Sequence, residues 1–223
     1  MLMPGLSGGA PLNVVHADVC LLVLDKPPGL LSVPGRGPDK QDCLSARVQA
    51  VYPDALIVHR LDMSTSGLIV MARGTDAQRQ LSRAFEQRSV GKRYEAVVQG
   101  LLTPSAAPDG WGVVELPIAA DWPNRPLRIV DAGRGQPSTT RWRVIAHDAQ
   151  AGTTRLELEP VTGRSHQLRV HLKALGHPVM GDALYGPPPV RDAAPRLLLH
   201  ARSLALTHPL TGEALQFHSP VPF

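Results

Sequence analysis

Two short apolar runs separated by a polar connector constrain the fold of this chain most strongly. Residues 55–58 and 68–72 are aliphatic and partly β-branched, and each run has the length of a buried strand. The connector carries His59, Arg60 and Asp62, followed by a Ser-Thr-Ser-Gly turn. We therefore predict two strands joined by a loop that holds a carboxylate beside a cation and apolar walls.

Two interpretations of Asp62 stay open on these residues. A carboxylate near low-dielectric walls, two positions from an arginine, suits a group that takes part in chemistry. Aspartate also stabilises turns by accepting hydrogen bonds from nearby backbone N–H groups, and Asp62 would then be structural.

Alternating apolar and polar residues predict further strands along the chain. The strand candidates are 14–25 with a buried run at 19–24, 92–100, 111–118, 139–145, 154–160, 196–207 and 214–217. Tyr94 and Val98 share one face of their strand. The segments 139–145 and 154–160 are amphipathic and close in sequence, so we expect them to form an antiparallel hairpin.

Three segments, 41–52, 75–89 and 161–176, have helical periodicity, the last of them after a turn at its start. Leu44, Val48 and Val51 form the apolar stripe of the first. Thr75 and Gln78 predict a capping box at the start of the second, and a glycine cap ends the third. Because these helices interrupt a series of strands without regular βαβ alternation, we predict an α+β fold with a mixed, largely antiparallel sheet and packed helices.

Composition places the chain among globular, non-membrane proteins. No internal repeat or linker divides it, so we expect a flexible segment at 1–12 and a single domain at 13–223. A net charge of +4 permits a polyanionic partner without demanding one. We see neither a signal peptide nor an apolar run long enough to cross a membrane. Cys20 and Cys43 form no metal-type cluster, which favours reduced cysteines and a cytoplasmic location.

Common cofactor and catalytic signatures are absent from the sequence. It has no G-x-x-x-x-G-K-[ST] loop, no G-x-G-x-x-G, no H-E-x-x-H and no C-x-x-C. His166 and His171 lie five positions apart, which is not the spacing of a metal pair on one helix face. We therefore expect no cofactor and no metal, and a carboxylate assisted by arginine and tyrosine.

The assisting residues also have structural interpretations. Tyr94 points to the core at a strand start with two cations beside it, yet a core tyrosine bonded to a backbone carbonyl explains the same pattern. Arg169 shares a helix face with His166 and Lys173 and can reach a carboxylate or phosphate as a fork. A solvated helix face is the alternative for Arg169.

Four motifs in the same order resemble those of the RluA family of pseudouridine synthases. They are H-R-L-D-x-x-T-S-G at 59–67, basic residues before Tyr94, G-R-S-H-Q-L-R-V-H at 163–171 and L-L-H-A at 198–201. The segments 30–36, 121–126 and 220–223 are similar to a short member of that family. We expect no N-terminal S4 RNA-binding domain, which many longer members carry.

The resemblance implies the pseudouridine synthase fold and the isomerisation of uridine to pseudouridine in RNA, without a cofactor. Asp62 would be the essential carboxylate, and Arg169 would form the ion pair that keeps it charged. Tyr94 would stack on the uracil and assist proton removal at C5. Leu198 or Leu199 would pack beneath the base.

The resemblance also implies a set of substrate-binding residues. Arg60 would fill the stack that an extruded uridine leaves. Arg125, in a rigid loop, is a candidate for a phosphate contact. The motif residues His59, Arg164 and His166 complete the predicted substrate-binding set.

Similarity to the short member implies two RNA partners. These are a tRNA anticodon stem-loop, modified at position 32, and a 23S rRNA stem-loop, modified at position 746, with the enzyme acting as a monomer. Other large-subunit rRNA uridines are alternative substrates. A catalytically silent RNA-binding module is the alternative from another class, and a hydrolase would need a second carboxylate or a metal cluster.

Overall fold

A computed structural model describes residues 12–223. The predicted flexible segment 1–12 therefore lies, except for Leu12, outside the described residues. The strands of the described part are β1 (Val14–Ala17), β2 (Leu21–Lys26), β3 (Ala55–Ile57), β4 (Ser66–Arg73), β5 (Gly91–Gln99), β6 (Gly112–Glu115), β7 (Ile118–Ala120), β8 (Arg128–Val130), β9 (Thr139–Asp148), β10 (Thr153–Pro160), β11 (Leu199–Thr207) and β12 (Ala214–His218). Its α-helices are α1 (Leu44–Gln49), α2 (Thr75–Glu86), α3 (Gln167–Ala174) and α4 (Pro188–Arg191).

Ten of these strands form one mixed sheet in the order β1-β2-β4-β11-β5-β10-β9-β6, with β3 beside β4 and β12 beside β11. The pairing of β4 with β11 is parallel, and the other strand pairs in the described residues are antiparallel. Strands β7 and β8 form a separate hairpin. The predicted mixed, largely antiparallel sheet with packed helices is confirmed.

Along one edge of β4, two different strands pair with its two halves, and the polar connector lies where they separate. The C-terminal half of β4 pairs with β3 on that edge, whereas Ser66 and Gly67 pair with His200 and Ala201 of β11. The connector 58–65 leaves the sheet at this gap. Gly67 has a φ of +109°, and a Cβ there would lie 2.3 Å from the Ala201 carbonyl oxygen, so the glycine is required by the close approach of β11.

Helices cover both faces of the central strands. On β4, Val70 belongs to a cluster with Leu81 of α2, whereas Met71 belongs to a cluster on the other face with Leu44 of α1. Burial on both sides explains why β4 is continuously apolar. A third cluster joins β5, β10 and β11 to α3, and Tyr94 packs at the boundary of two of these clusters.

Several predicted boundaries are wrong in detail. Val19 is 73% exposed because it lies in the turn between β1 and β2, and Val51 is 52% exposed because α1 ends at Gln49. Thr75 is not an N-cap: Gly74 takes that position, and Gln78 donates from Nε2 to the carbonyl of Ile57 instead. The predicted strand 111–118 is split into β6 and the start of β7, with Pro117 in between.

Candidate active site

Asp62 lies on the connector at the wall of a cleft of about 570 Å³. The connector contributes residues 58–62 and 65 to this cleft, and the segment 160–169 forms much of the opposite wall. The Asp62 side chain is 24% exposed, so a ligand in the cleft can reach it. The two predicted motifs therefore face each other although they are about a hundred residues apart in sequence.

Arg169 approaches Asp62 from α3 and is itself buried. Its Nη1 lies 3.3 Å from Asp62 Oδ2, and its side chain is only 3% exposed. The alternative of a solvated helix face is therefore wrong for this arginine. The guanidinium thus places a positive charge beside the carboxylate, and the two groups form a charge-assisted hydrogen bond.

Asp182 holds Arg169 in place, and the sequence analysis missed it. Its two oxygens accept hydrogen bonds from Arg169 Nε at 2.8 Å and Nη2 at 2.7 Å. The backbone N–H groups of Leu184 and Tyr185 also donate to Oδ1, and the side chain is fully buried. The Asp-x-x-Tyr turn in the sequence predicts only these local bonds, and no spacing signals the pairing with Arg169.

His166 is oriented toward Asp62 by a hydrogen-bond chain. The Arg128 backbone N–H donates to the Tyr185 hydroxyl at 2.9 Å, and this hydroxyl lies 2.6 Å from His166 Nδ1. Burial raises the pKa of Tyr185 to about 12, so its proton is available for donation to Nδ1. The proton of a neutral His166 then resides on Nε2, which lies 3.9 Å from Asp62 Oδ1. Burial lowers the pKa of His166, which favours this neutral form.

Lys26 anchors the backbone next to Asp62. It is fully buried, and its Nζ donates to the carbonyls of Pro27 at 2.9 Å, Leu30 at 2.8 Å and Met63 at 3.1 Å. Burial lowers the pKa of Lys26 to about 8, while the negative charge of Asp62 acts in the opposite direction. This lysine is a second positioning residue that the sequence analysis did not single out.

Aromatic and apolar side chains line the cleft near Asp62. Tyr94 and Leu199 are among them, whereas Leu198, which precedes β11, is not. Burial raises the pKa of Tyr94, and the negative charge of Asp62 adds to this effect. The Tyr94 phenol is therefore protonated at neutral pH.

The other predicted substrate-binding residues fall into two groups. His59, Arg60 and Arg164 line the cleft with His166. Arg60 is exposed and donates from Nη2 to Ser165 Oγ at 3.2 Å. Arg125 is not among the lining residues, and its guanidinium stacks on the ring of Trp122 at 3.5 Å from the centroid.

One group of described residues has metal-ligand chemistry, and it lies away from the cleft lining. The ligand atoms of Asp18, Cys20 and His208 lie within 4.8 Å of one another. However, His208 Nδ1 accepts hydrogen bonds from the N–H groups of Leu210 and Thr211, so the proton must be on Nε2, which faces Asp18. A protonated Nε2 offers no lone pair to a metal, and the group is a hydrogen-bonded contact between His208 and the turn at Asp18.

Comparison with known proteins decides the family. A model of RNA pseudouridylate synthases matches residues 20–174. The chain belongs to this family. It is 47% identical over 212 residues to the dual-specificity RNA pseudouridine synthase RluA of Escherichia coli strain K12, covering 95% of this chain and 94% of that protein. The RluA of Yersinia pestis is 45% identical over 210 residues, covering 94% and 99% of the two chains.

Solved structures agree with this assignment. Human RNA pseudouridylate synthase domain containing 1 superimposes with a TM-score of 0.77 at 30% identity, covering 98% of this chain and 87% of that chain. Human RNA pseudouridylate synthase domain containing 4 gives a TM-score of 0.72 at 26% identity, with 94% and 88% covered. The predicted family, fold and isomerase class are thus confirmed. In the described residues, no helix is long and apolar enough to span a membrane.

Proposed function

We propose that the chain converts uridine to pseudouridine in structured RNA with Asp62 as the essential carboxylate. The pairing of Asp62 with Arg169, itself fixed by Asp182, carries this proposal. It gives a charged carboxylate that faces a cleft and remains accessible to a ribose. Purely structural pairing or RNA binding alone would not need a buried cation behind a cleft-facing carboxylate.

The reaction breaks the C1′–N1 bond, turns the base and joins C5 to C1′, while the C5 proton is lost and N1 gains one. Asp62 either attacks C1′ or stabilises the positive charge that develops there, and both roles require the carboxylate form. His166 adds a donor beside the carboxylate at 3.9 Å. In this proposal it orients Asp62 or a ribose hydroxyl.

Tyr94 stacks on the uracil in this proposal, with Leu199 providing apolar contact. A phenol with a raised pKa is a poor base. We therefore assign Tyr94 to stacking and to hydrogen bonding near C5 rather than to proton abstraction by a phenolate.

A uridine inside a structured loop must leave its stack to reach Asp62. Arg60 lies beside the cleft with an exposed, planar guanidinium that is suited to fill the vacated space. His59 and Arg164 contact the RNA from the cleft walls, and Arg125 reaches a phosphate outside it.

We propose two substrates, tRNA position 32 and 23S rRNA position 746, and a cytoplasmic enzyme that acts as a monomer. High identity over almost the full length of the dual-specificity relatives supports this choice over other large-subunit rRNA uridines.

Tritium release from RNA that carries 5-tritiated uridine tests the proposal. The purified protein, without added metal or cofactor, is incubated with separate anticodon stem-loop and 23S rRNA fragments. Release from both fragments is expected, and release from one alone would restrict the substrate. Tight binding of both fragments without release, under conditions where a known pseudouridine synthase is active, would support the silent RNA-binding module instead.

A further inference from the structure

A second pocket adjoins the catalytic cleft. It has a volume of about 400 Å³, within the range of small-ligand sites, and lies against the β7–β8 hairpin. Gly163 and Arg164 line both cavities. Ser165, which also lines the second pocket, accepts the hydrogen bond from Arg60. A chain bound in the cleft can therefore continue into this pocket.

The lining of this pocket is positively charged. Arg128, Arg134 and Arg164 contribute to it, and no acidic side chain of the described residues does. Arg134 pairs with Asp131 at 2.7 Å, but its own side chain is 74% exposed, so its guanidinium is accessible to a phosphate in the pocket. The pocket therefore attracts an anion.

Arg128 supplies a second observation that points to a ligand. Its Nε is buried and has no hydrogen-bond partner among the described residues. Buried donors are nearly always satisfied in folded proteins. The Arg128 side chain as a whole is partly exposed and lines the pocket, so a rotation of its guanidinium can bring Nε to a phosphate oxygen there.

Trp122 provides a flat apolar surface at the same pocket. It is 66% exposed, unusually so for a tryptophan, and the guanidinium of Arg125 stacks on its ring at 3.5 Å. Exposed aromatic rings beside basic side chains are typical of sites that bind unpaired nucleotides by stacking.

We infer that this second pocket binds the nucleotide next to the target uridine, with its phosphate on the arginines and its base on Trp122. The inference rests on the proposed function, because it assumes that RNA enters the catalytic cleft. It adds a subsite that fixes the RNA strand while the uridine is extruded.

The test compares Trp122→Ala, Trp122→Phe and, as a control, Leu210→Ala, which changes another exposed apolar residue (69%) that lines neither cavity. We expect Trp122→Ala to raise the KM of tritium release roughly tenfold, from the loss of one stacked base, with kcat unchanged within about twofold. Trp122→Phe should keep most of the wild-type KM, and Leu210→Ala should match wild type.

RNA without the neighbouring base identifies the occupant. Two stem-loops are made, each lacking one base, 5′ or 3′ of the target. On one of them Trp122→Ala should bind and react as wild type does, because the stacking partner is already gone. A tenfold loss that persists on both RNAs, or no loss on intact RNA, would overturn the inference.

Arg134→Ala and Arg79→Ala test the phosphate contact. Arg79 is 75% exposed and pairs with an aspartate three positions earlier, as Arg134 does, but lines neither cavity. We expect Arg134→Ala to reduce the slope of log K against log[salt] for RNA binding by about 1, which corresponds to the loss of one phosphate contact. Arg79→Ala should leave this slope unchanged. An equal change of the slope in both variants would indicate a general effect of surface charge and would contradict a specific phosphate contact in the pocket. Because Kd is measured separately from tritium release, absence of release in wild type would reject the proposed function while binding still tests the pocket.

Discussion

The loops that carry Asp62 and Asp182 meet at the same guanidinium, yet their surroundings differ. Asp182 is fully buried, and Arg169 and two backbone N–H groups donate to it. Asp62 receives one bond of 3.3 Å from Arg169 and faces the cleft. The saturated carboxylate can only hold Arg169, whereas the other retains free lone pairs for a substrate. The comparison teaches that accessibility and unused hydrogen-bonding capacity, rather than charge alone, distinguish the proposed catalytic carboxylate from a structural one.

The largest effect is expected for Asp62→Asn. This change should reduce isomerisation by about 10⁴-fold or more, because the amide carries no charge to attack or stabilise C1′. Thermal stability and RNA binding should be nearly unchanged, since Arg169 keeps its bonds to Asp182. Tritium release, calorimetry and RNA binding measure the three quantities. Substantial turnover by this variant would contradict the role of Asp62.

Unlike Asp62→Asn, Asp182→Asn should strongly reduce the stability of the fold. Removing the buried charge leaves Arg169 incompletely paired, and breaking such a pair costs about 3 kcal/mol or more of the free energy of unfolding. Activity should fall too, because Arg169 is no longer held toward Asp62. Urea unfolding measures the first effect. Asp192→Asn, which alters an exposed pair with Arg191, serves as the control and should leave stability unchanged.

The pH dependence of stability tests the structural role of His59, which lies on the same loop as Asp62. His59 Nε2 accepts a hydrogen bond from the Val70 N–H, and its ring stacks on Phe85. Burial, with a smaller effect of Lys92, lowers the pKa of His59 to about 3. At pH values between this one and the ordinary pKa near 6.5, His59 is protonated in the unfolded chain but neutral in the folded chain. Its contribution to stability is therefore full above about pH 6.5 and is lost as the pH falls toward 3.

The free energy of unfolding falls as the pH is lowered from 7 to 5. We expect this fall to be about 2 kcal/mol smaller in His59→Gln than in the wild type. Urea unfolding at the two pH values measures this difference. His218→Gln, at an exposed histidine, is the matched control. An unchanged pH dependence in His59→Gln would mean that the buried histidine is already protonated at pH 5.

The smallest effect concerns Arg60, the exposed residue beside Asp62. Arg60→Ala should keep the fold and reduce activity about tenfold on a structured stem-loop, but less on a flexible loop, because only the former leaves a stack to be filled. The kcat/KM for tritium release on the two RNAs is the measurement. Equal losses on both would argue against the stacking role and for a general phosphate contact.

Local sequence patterns determined much of the architecture. The apolar runs at 55–58 and 68–72 became β3 and β4, and the hairpin β9–β10 and the glycine at the end of α3 were also predicted. These features follow from side-chain alternation and turn chemistry within a few residues. The helix start at Gly74 was mispredicted because the Gln78 side chain bonds to a carbonyl of another strand, which a local capping rule does not include.

The sequence by itself determined the family, the sheet-rich fold and the candidates Asp62, Tyr94 and Arg169, because their motifs are compact. Only the tertiary structure decided that Arg169 is buried, that Asp182 holds Arg169, that Lys26 holds the loop that carries Asp62, and that Arg125 stacks on Trp122 beside a second pocket. The physical reason is that burial and hydrogen-bond saturation depend on groups brought together from distant parts of the chain. Asp62 and Asp182 are the same residue type in sequence, and only the packing around them makes one a support and leaves the other free to react.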